Sequence, residues 1–133
     1  MLNMRMNRYW IENINYSLDI DLYINRNKEI SIIPELQRLV DKVDGNKAIV
    51  KLFFRVKKTD VIPFDINVTI CGLFECDNWE TTQDGLYFIN TTSTQILFPY
   101  LRQAISTITG MSNIAQYVLP VVNVSTLFRN EVK

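Results

Sequence analysis

A chain of 133 residues has room for one hydrophobic core and little more. It is 47% hydrophobic and 21% charged, with 14 basic residues against 14 acidic and no histidine. This profile excludes a disordered chain and gives no electrostatic reason to expect nucleic acid or an anionic membrane as partner. Without imidazole, Ser-His-Asp and Cys-His nucleophiles and the usual metal sites are also excluded.

No apolar run reaches the roughly 18 residues of a membrane span. The opening Met-Leu-Asn-Met-Arg-Met-Asn-Arg has basic residues but no apolar stretch behind them, so no secretory signal is expected. Cys71 and Cys76 read as two small buried hydrophobes in a reducing cytoplasm, because two thiols without histidine are too few to hold a metal.

In chain order, the first strand pattern begins at Ile14. Ile14, Tyr16, Leu18, Ile20, Leu22 and Ile24 take every second position, with Asn13, Asn15, Ser17, Asp19, Asp21 and Tyr23 between them. That is a strand with one dry and one wet face. Glu29 to Ile33 looks extended, but Leu36, Leu39, Val40 and Val43 follow helical spacing between Pro34 and Gly45. Asp44-Gly45-Asn46 equally suits a hairpin turn, and the local pattern leaves helix and strand both open.

Alternation returns at Val50, Leu52, Phe54 and Val56 against Lys51, Arg55 and Lys57, with Phe53 an exception on the wet face. It returns again at Phe64, Ile66, Val68 and Ile70. Strands wet on one side suit an antiparallel sheet covered on the other. A polar stretch from Asp77 to Thr94 follows, and then the best helix pattern in the chain. Leu97, Leu101, Ala104, Ile105 and Ile108 form one stripe, with Ser93 and Thr94 as caps and Gly110 as the stop. Pro99 predicts a start near Ile96, so that its missing N–H falls in the first turn. After Leu119-Pro120, Ser125 is placed to cap a short final helix. The expectation is an α+β fold in a single domain over residues 1–133: four antiparallel strands within 9–76, then a long helix and a short helical end within 79–133.

Two segments carry a resemblance. Gln95-Ile96-Leu97-Phe98-Pro99-Tyr100-Leu101-Arg102 and Leu119-Pro120-Val121-Val122-Asn123-Val124-Ser125-Thr126-Leu127-Phe128 resemble two blocks of the SecB family of export chaperones. Gly72-Leu73-Phe74 is similar to the step that closes that family's last strand. The resemblance covers about half the chain by motif and nearly all of it by layout. It implies that the stretch from Glu29 to Val43 is a second strand with an irregular end. It also implies homo-oligomers, dimers or dimers of dimers, and a holdase that binds unfolded polypeptide in apolar grooves without ATP or any cofactor. Client binding then falls to Phe64, Ile66, Val68 and Phe74 on the sheet and to Val124, Leu127 and Phe128 in the tail. The oligomer interface falls to Leu97, Leu101, Ala104 and Ile108. Trp10, Trp79, Tyr87 and Phe88 are further aromatic candidates for the groove, each also explicable as core or interface.

The chain departs from the family in charge. Acidic residues on the family's open sheet face dock the ATPase SecA, and the matching positions here are Asn13, Ser17, Asp65 and Asn67, three of them uncharged. The chain is neutral overall and ends soon after the second block, at Arg129-Asn130-Glu131-Val132-Lys133. This points away from SecA and toward the branch of the family that guards an aggregation-prone antitoxin. General export and a structural or small-ligand subunit remain the alternatives. No enzyme is expected, since Glu75, Asp77, Glu80 and Asp84 show no acid–base or metal spacing and four scattered glycines make no phosphate loop.

Overall fold

The computed structural model describes residues 3–25, 34–60 and 62–111. Its elements are β1 (Met4–Leu18), α1 (Ile20–Asn25), β2 (Glu35–Lys42), β3 (Lys47–Val56), β4 (Phe64–Cys76), α2 (Gln83–Tyr87), a π-turn (Phe88–Thr92) and α3 (Ser93–Met111). The four strands form one antiparallel sheet in the order β1-β4-β3-β2, with the helical run from α2 to α3 on one face. The α+β plan of four antiparallel strands and a long helix is therefore the observed one. The final helix expected after Ser125 lies outside the described residues.

Even-numbered residues of β3 and β4 point under the helices, as the period of two requires. Val50, Leu52 and Phe54 meet Ile66, Val68, Ile70 and Phe74 there, all at most 1% exposed. The helical run closes the layer with Phe88, Ile89, Leu97, Leu101 and Ile105. The Phe74 and Phe88 rings meet edge to face, 6.0 Å between centroids. Gly72 makes this approach possible: a Cβ there would lie 2.6 Å from the Phe74 ring and 3.3 Å from Leu97.

β1 is longer than its sequence pattern, and it ends earlier. Two register shifts, between Met6 and Arg8 and between Ile11 and Asn13, change the parity of its inner face. Tyr9 and Ile11 sit opposite Gly72 and Ile70, whereas Ile14, Tyr16 and Leu18 sit opposite Val68, Ile66 and Phe64. All five thus share the helix-side face. The alternation expected through Ile24 stops at Leu18, because the Asp19 carboxylate accepts from the Leu22 N–H at 3.1 Å and starts a helical turn. Ile20 and Ile24 are consequently exposed.

Residues 35–42 are a strand, resolving the ambiguity in favour of the reading implied by the family. The β2–β3 turn is tied from behind by the loop after β4. Cys76 N–H donates to the Asn46 carbonyl at 2.7 Å, Trp79 N–H to Gly45 at 3.2 Å, and the Trp79 indole to Asp44 at 3.2 Å.

The helical run also starts earlier than expected. Thr82 caps it by accepting from Gly85 N–H at 3.0 Å, so Ser93 and Thr94 are helix interior, 0% and 2% exposed. Pro99 is well inside α3 and not in its first turn. It is tolerated because the partner it cannot serve, the Gln95 carbonyl, lies with Pro99 on the exposed side, where water can take the bond.

Candidate functional site

The edge strand and the far side of α3 do not close on one another. Tyr9, Ile11 and Ile14 of β1, with Ile70 of β4 as floor, face Tyr100, Gln103, Ala104, Thr107 and Ile108 across a groove of about 490 Å³. None of these lining residues is charged. Tyr9, Ile11 and Ile14 are each 45–46% exposed, a contiguous apolar strip at the sheet edge. The Tyr9 and Tyr100 rings stack 4.0 Å apart and tie the two walls together. Uncharged walls of Ile, Ala and Tyr bind by burial, which is non-directional and tolerant of sequence. Gln103 and Thr107 can offer side-chain hydrogen bonds.

The expected client residues are distributed differently. Phe64, Ile66, Val68 and Phe74 are 4%, 1%, 1% and 0% exposed, enclosed beneath the helices. None of them lines the groove. Val124, Leu127 and Phe128 lie outside the described residues. Of the expected interface set, Leu97 and Leu101 are 0% exposed and enclosed within one subunit, because they pack inward on β3 and β4. Ala104 and Ile108 are half-buried and line the groove. Trp79 and Phe88 are core, Tyr87 is 61% exposed, and Trp10 is half-buried on the opposite sheet face, beside Cys71.

Sequence reasoning missed Tyr9, Ile11 and Tyr100. The signal for the first two was present: apolar residues at Met4, Met6, Tyr9, Ile11, Ile14 and Tyr16 are two or three apart, each three marking one register shift.

The outer sheet face carries Asn13, Asn15, Ser17, Asp65 and Asn67 together. Farther along it, Glu12 accepts from the Cys71 thiol at 3.0 Å and pairs with Lys51 at 3.1 Å. The thiol contact, then the lysine, holds the Glu12 carboxyl below its usual range. Burial and the bond to Glu12 push the Cys71 thiol up to about 12. Such a thiol is an inert neutral donor rather than a nucleophile. Among the described residues no group of three or more His, Cys, Asp or Glu is placed to hold a metal, and no helix is long and apolar enough to cross a membrane.

A family profile described as "Preprotein translocase subunit SecB" matches residues 12–133. An uncharacterized protein, MJ0357, of Methanocaldococcus jannaschii is 38% identical over 68 residues, 51% of this chain and 43% of that one. The match thus spans under half the length of that relative. Among solved structures, the fold is similar to the Mycobacterium tuberculosis Rv1957 SecB-like chaperone in complex with a ChAD peptide from the Rv1956 HigA1 antitoxin. That similarity has a TM-score of 0.67 at 15% identity and covers 90% of both chains. A protein of unknown function from Streptococcus agalactiae aligns with a TM-score of 0.49 at 10% identity, over 91% of this chain and 99% of that one.

Proposed function

This chain belongs to the SecB family, and from that premise we propose that it is a holdase chaperone, working without ATP or a cofactor, dedicated to an antitoxin. The observation that carries the holdase reading is the uncharged groove between β1 and α3, walled by Tyr9, Ile11, Ile14, Tyr100, Ala104 and Ile108. An extended, aggregation-prone segment laid there exchanges its own exposed apolar surface and that of the groove for contact, at about 25 cal/mol per Å² buried. No bond is made or broken, so the activity needs no catalytic group. Val124, Leu127 and Phe128 extend the client surface in this reading. Ala104 and Ile108 are shared between groove and a homo-oligomer of two or four subunits in the cytoplasm.

The dedicated role is supported by the sheet face opposite the groove. Of Asn13, Ser17, Asp65 and Asn67 only Asp65 is charged, and its carboxylate already accepts from the Lys58 N–H at 3.0 Å. The similar chaperone solved with an antitoxin peptide is consistent with this choice. General delivery of precursors to SecA is the second reading, favoured by the description of the family profile.

Two measurements test the proposal on the full chain. Light scattering of a denatured model protein should fall at roughly stoichiometric amounts of chain, with or without ATP; no suppression overturns the holdase reading. Affinity purification from the native host should return one DNA-binding antitoxin. Recovery of many unrelated secretory precursors in its place would transfer the protein to the export role.

A further inference from the structure

Arg38 is the one charged side chain among the described residues that is buried, at 4% exposure. It rises from the inner face of β2, opposite Leu52, and its Nη1 donates to the Asn90 carbonyl and to Thr94 Oγ1, the latter at 2.9 Å. Asn90 lies within the wide turn between α2 and α3, and Thr94 is the second residue of α3. In that turn the backbone bonds reach one residue farther than in an α-helix, Ser93 N–H donating to the Phe88 carbonyl. The Ile89 carbonyl is taken by Ser93 Oγ at 2.5 Å. Two carbonyls of the turn are thus answered by side chains, one from the helix and one from the sheet below.

The wide turn matters for what lies downstream. Helix positions at 0% exposure run Ile89, Ser93, Leu97, Leu101, Ile105 and Thr109, one every four residues. Four residues of straight α-helix turn through about 400°, so such a stripe slips by about 40° per step. One extra residue in a turn removes about 100° of that slip. The turn therefore sets the rotation of α3 as a whole relative to α2, and in that rotation Leu97, Leu101 and Ile105 pack on the sheet while Tyr100, Ala104 and Ile108 line the groove beside β1.

We propose that Arg38 is a positioning residue: by holding the π-turn from below, it sets the rotation of α3 and so builds the helical wall of the groove. Its role in client capture rests on the function proposed above; its role in helix rotation does not. Without the guanidinium, the Asn90 carbonyl and Thr94 Oγ1 lose the hydrogen bonds that tie the turn to β2, and the turn is free to relax toward a regular α-helix. That change turns the face of α3 by about one residue.

The test compares full-length Arg38→Met with Leu52→Ala, which truncates the cross-strand neighbour of Arg38 and leaves the turn alone. NMR reads the Tyr9–Tyr100 ring contact and the cross-strand contacts of the sheet. Fluorescence anisotropy reads the affinity for a neutral extended peptide of Leu, Ile and Tyr. Arg38→Met should keep the sheet, lose the ring contact and bind the peptide at least about tenfold more weakly, the effect of losing one good apolar anchor. Leu52→Ala should keep the ring contact although it melts earlier, and Arg38→Lys should recover part of it. Retention of the ring contact in Arg38→Met, or its equal loss in Leu52→Ala, overturns the proposal. If Arg38→Met does not fold, the same contact is measured in Arg38→Gln, too short to reach Asn90: its loss supports the proposal and its retention overturns it. Loss of the ring contact in a protein whose wild type binds no peptide leaves the positioning role standing and removes the groove as a client site.

Discussion

The Tyr9 ring lies 4.0 Å from that of Tyr100 and 26° from parallel, joining the edge strand to the helix across the groove. A stacked pair of this kind contributes about 0.5–1.5 kcal/mol beyond its buried area. Tyr100→Ala should therefore lower the melting temperature by a few degrees and leave strand content intact, as thermal circular dichroism would show. A cost above about 4 kcal/mol would mean that the pair holds the fold rather than the groove.

Ile11 is 46% exposed on a wall without charge. Ile11→Asp should change stability by less than about 1 kcal/mol, because the carboxylate stays in water in the free protein. Client capture would strip that water, so aggregation suppression should fall sharply. Undiminished protection by Ile11→Asp in a light-scattering assay would remove this groove as the client site.

Leu101 and Ala104, neighbours on one helix, should separate stability from surface. Leu101→Ala removes a side chain that is 0% exposed and should cost about 2–5 kcal/mol in denaturant melts. Ala104→Ser, half-buried on the groove wall, should cost under about 1 kcal/mol. Equal costs would contradict the inward packing of Leu101.

Two glycines make a matched pair. A Cβ on Gly85 would sit 2.5 Å from the Trp79 Cα and 2.7 Å from the capping Thr82 Oγ1, whereas one on Gly45 meets nothing within 4 Å. Gly85→Ala should cost more than about 2 kcal/mol by displacing backbone and cap, although alanine is the better helix former. Gly45→Ala should be within about 0.5 kcal/mol of neutral. Chemical denaturation of the two variants side by side decides this.

With no histidine among 133 residues, stability should be flat between about pH 5 and 8. Glu12, Asp19 and Glu75 are held below their usual range, by the Cys71 thiol, Lys58 and Asn7 respectively. Their contribution is full above the unfolded carboxylate values and is lost as pH falls through the lower folded ones, below about pH 4. Cys71 acts at the other end, its folded value being raised to about 12. The unfolded chain gives up that proton near the ordinary thiol value, about 8.5, while the folded protein keeps it. The contribution of the neutral thiol is therefore full below that value and is lost as pH rises from there toward 12. Melts across pH 3–10 test both limbs. At pH 8 neither buried cysteine should react with a thiol reagent until the chain unfolds.

Where the sequence was readable, one face of an element was uniformly apolar. β3 and β4 are such cases, and their alternation carried over to buried and half-buried positions almost residue for residue. β2 was ambiguous because Arg38 occupies an inward position, so the period of two was broken by a buried charge whose partners lie 52 and 56 residues away. The helix start was missed because Thr82, the cap, is followed by polar Gln83 and Asp84, while the more conspicuous Ser93 and Thr94 serve the interior of the helix. For a topological reason, the exposed apolar strip lies on β1 and not on the β4 residues singled out from the sequence. β4 has the strongest apolar pattern, but it pairs on both sides and lies under the helix, whereas exposed apolar surface belongs to the edge.

The strand order has a consequence for biosynthesis. Met4 pairs with Cys76 and Leu18 with Phe64, so every rung of the β1 ladder spans two intervening strands of sequence. A nascent chain emerging from the ribosome exposes Tyr9, Ile11 and Ile14 long before β4 exists to receive them. Until then this protein is itself an unprotected oily segment, with the same hazard it is proposed to relieve in others.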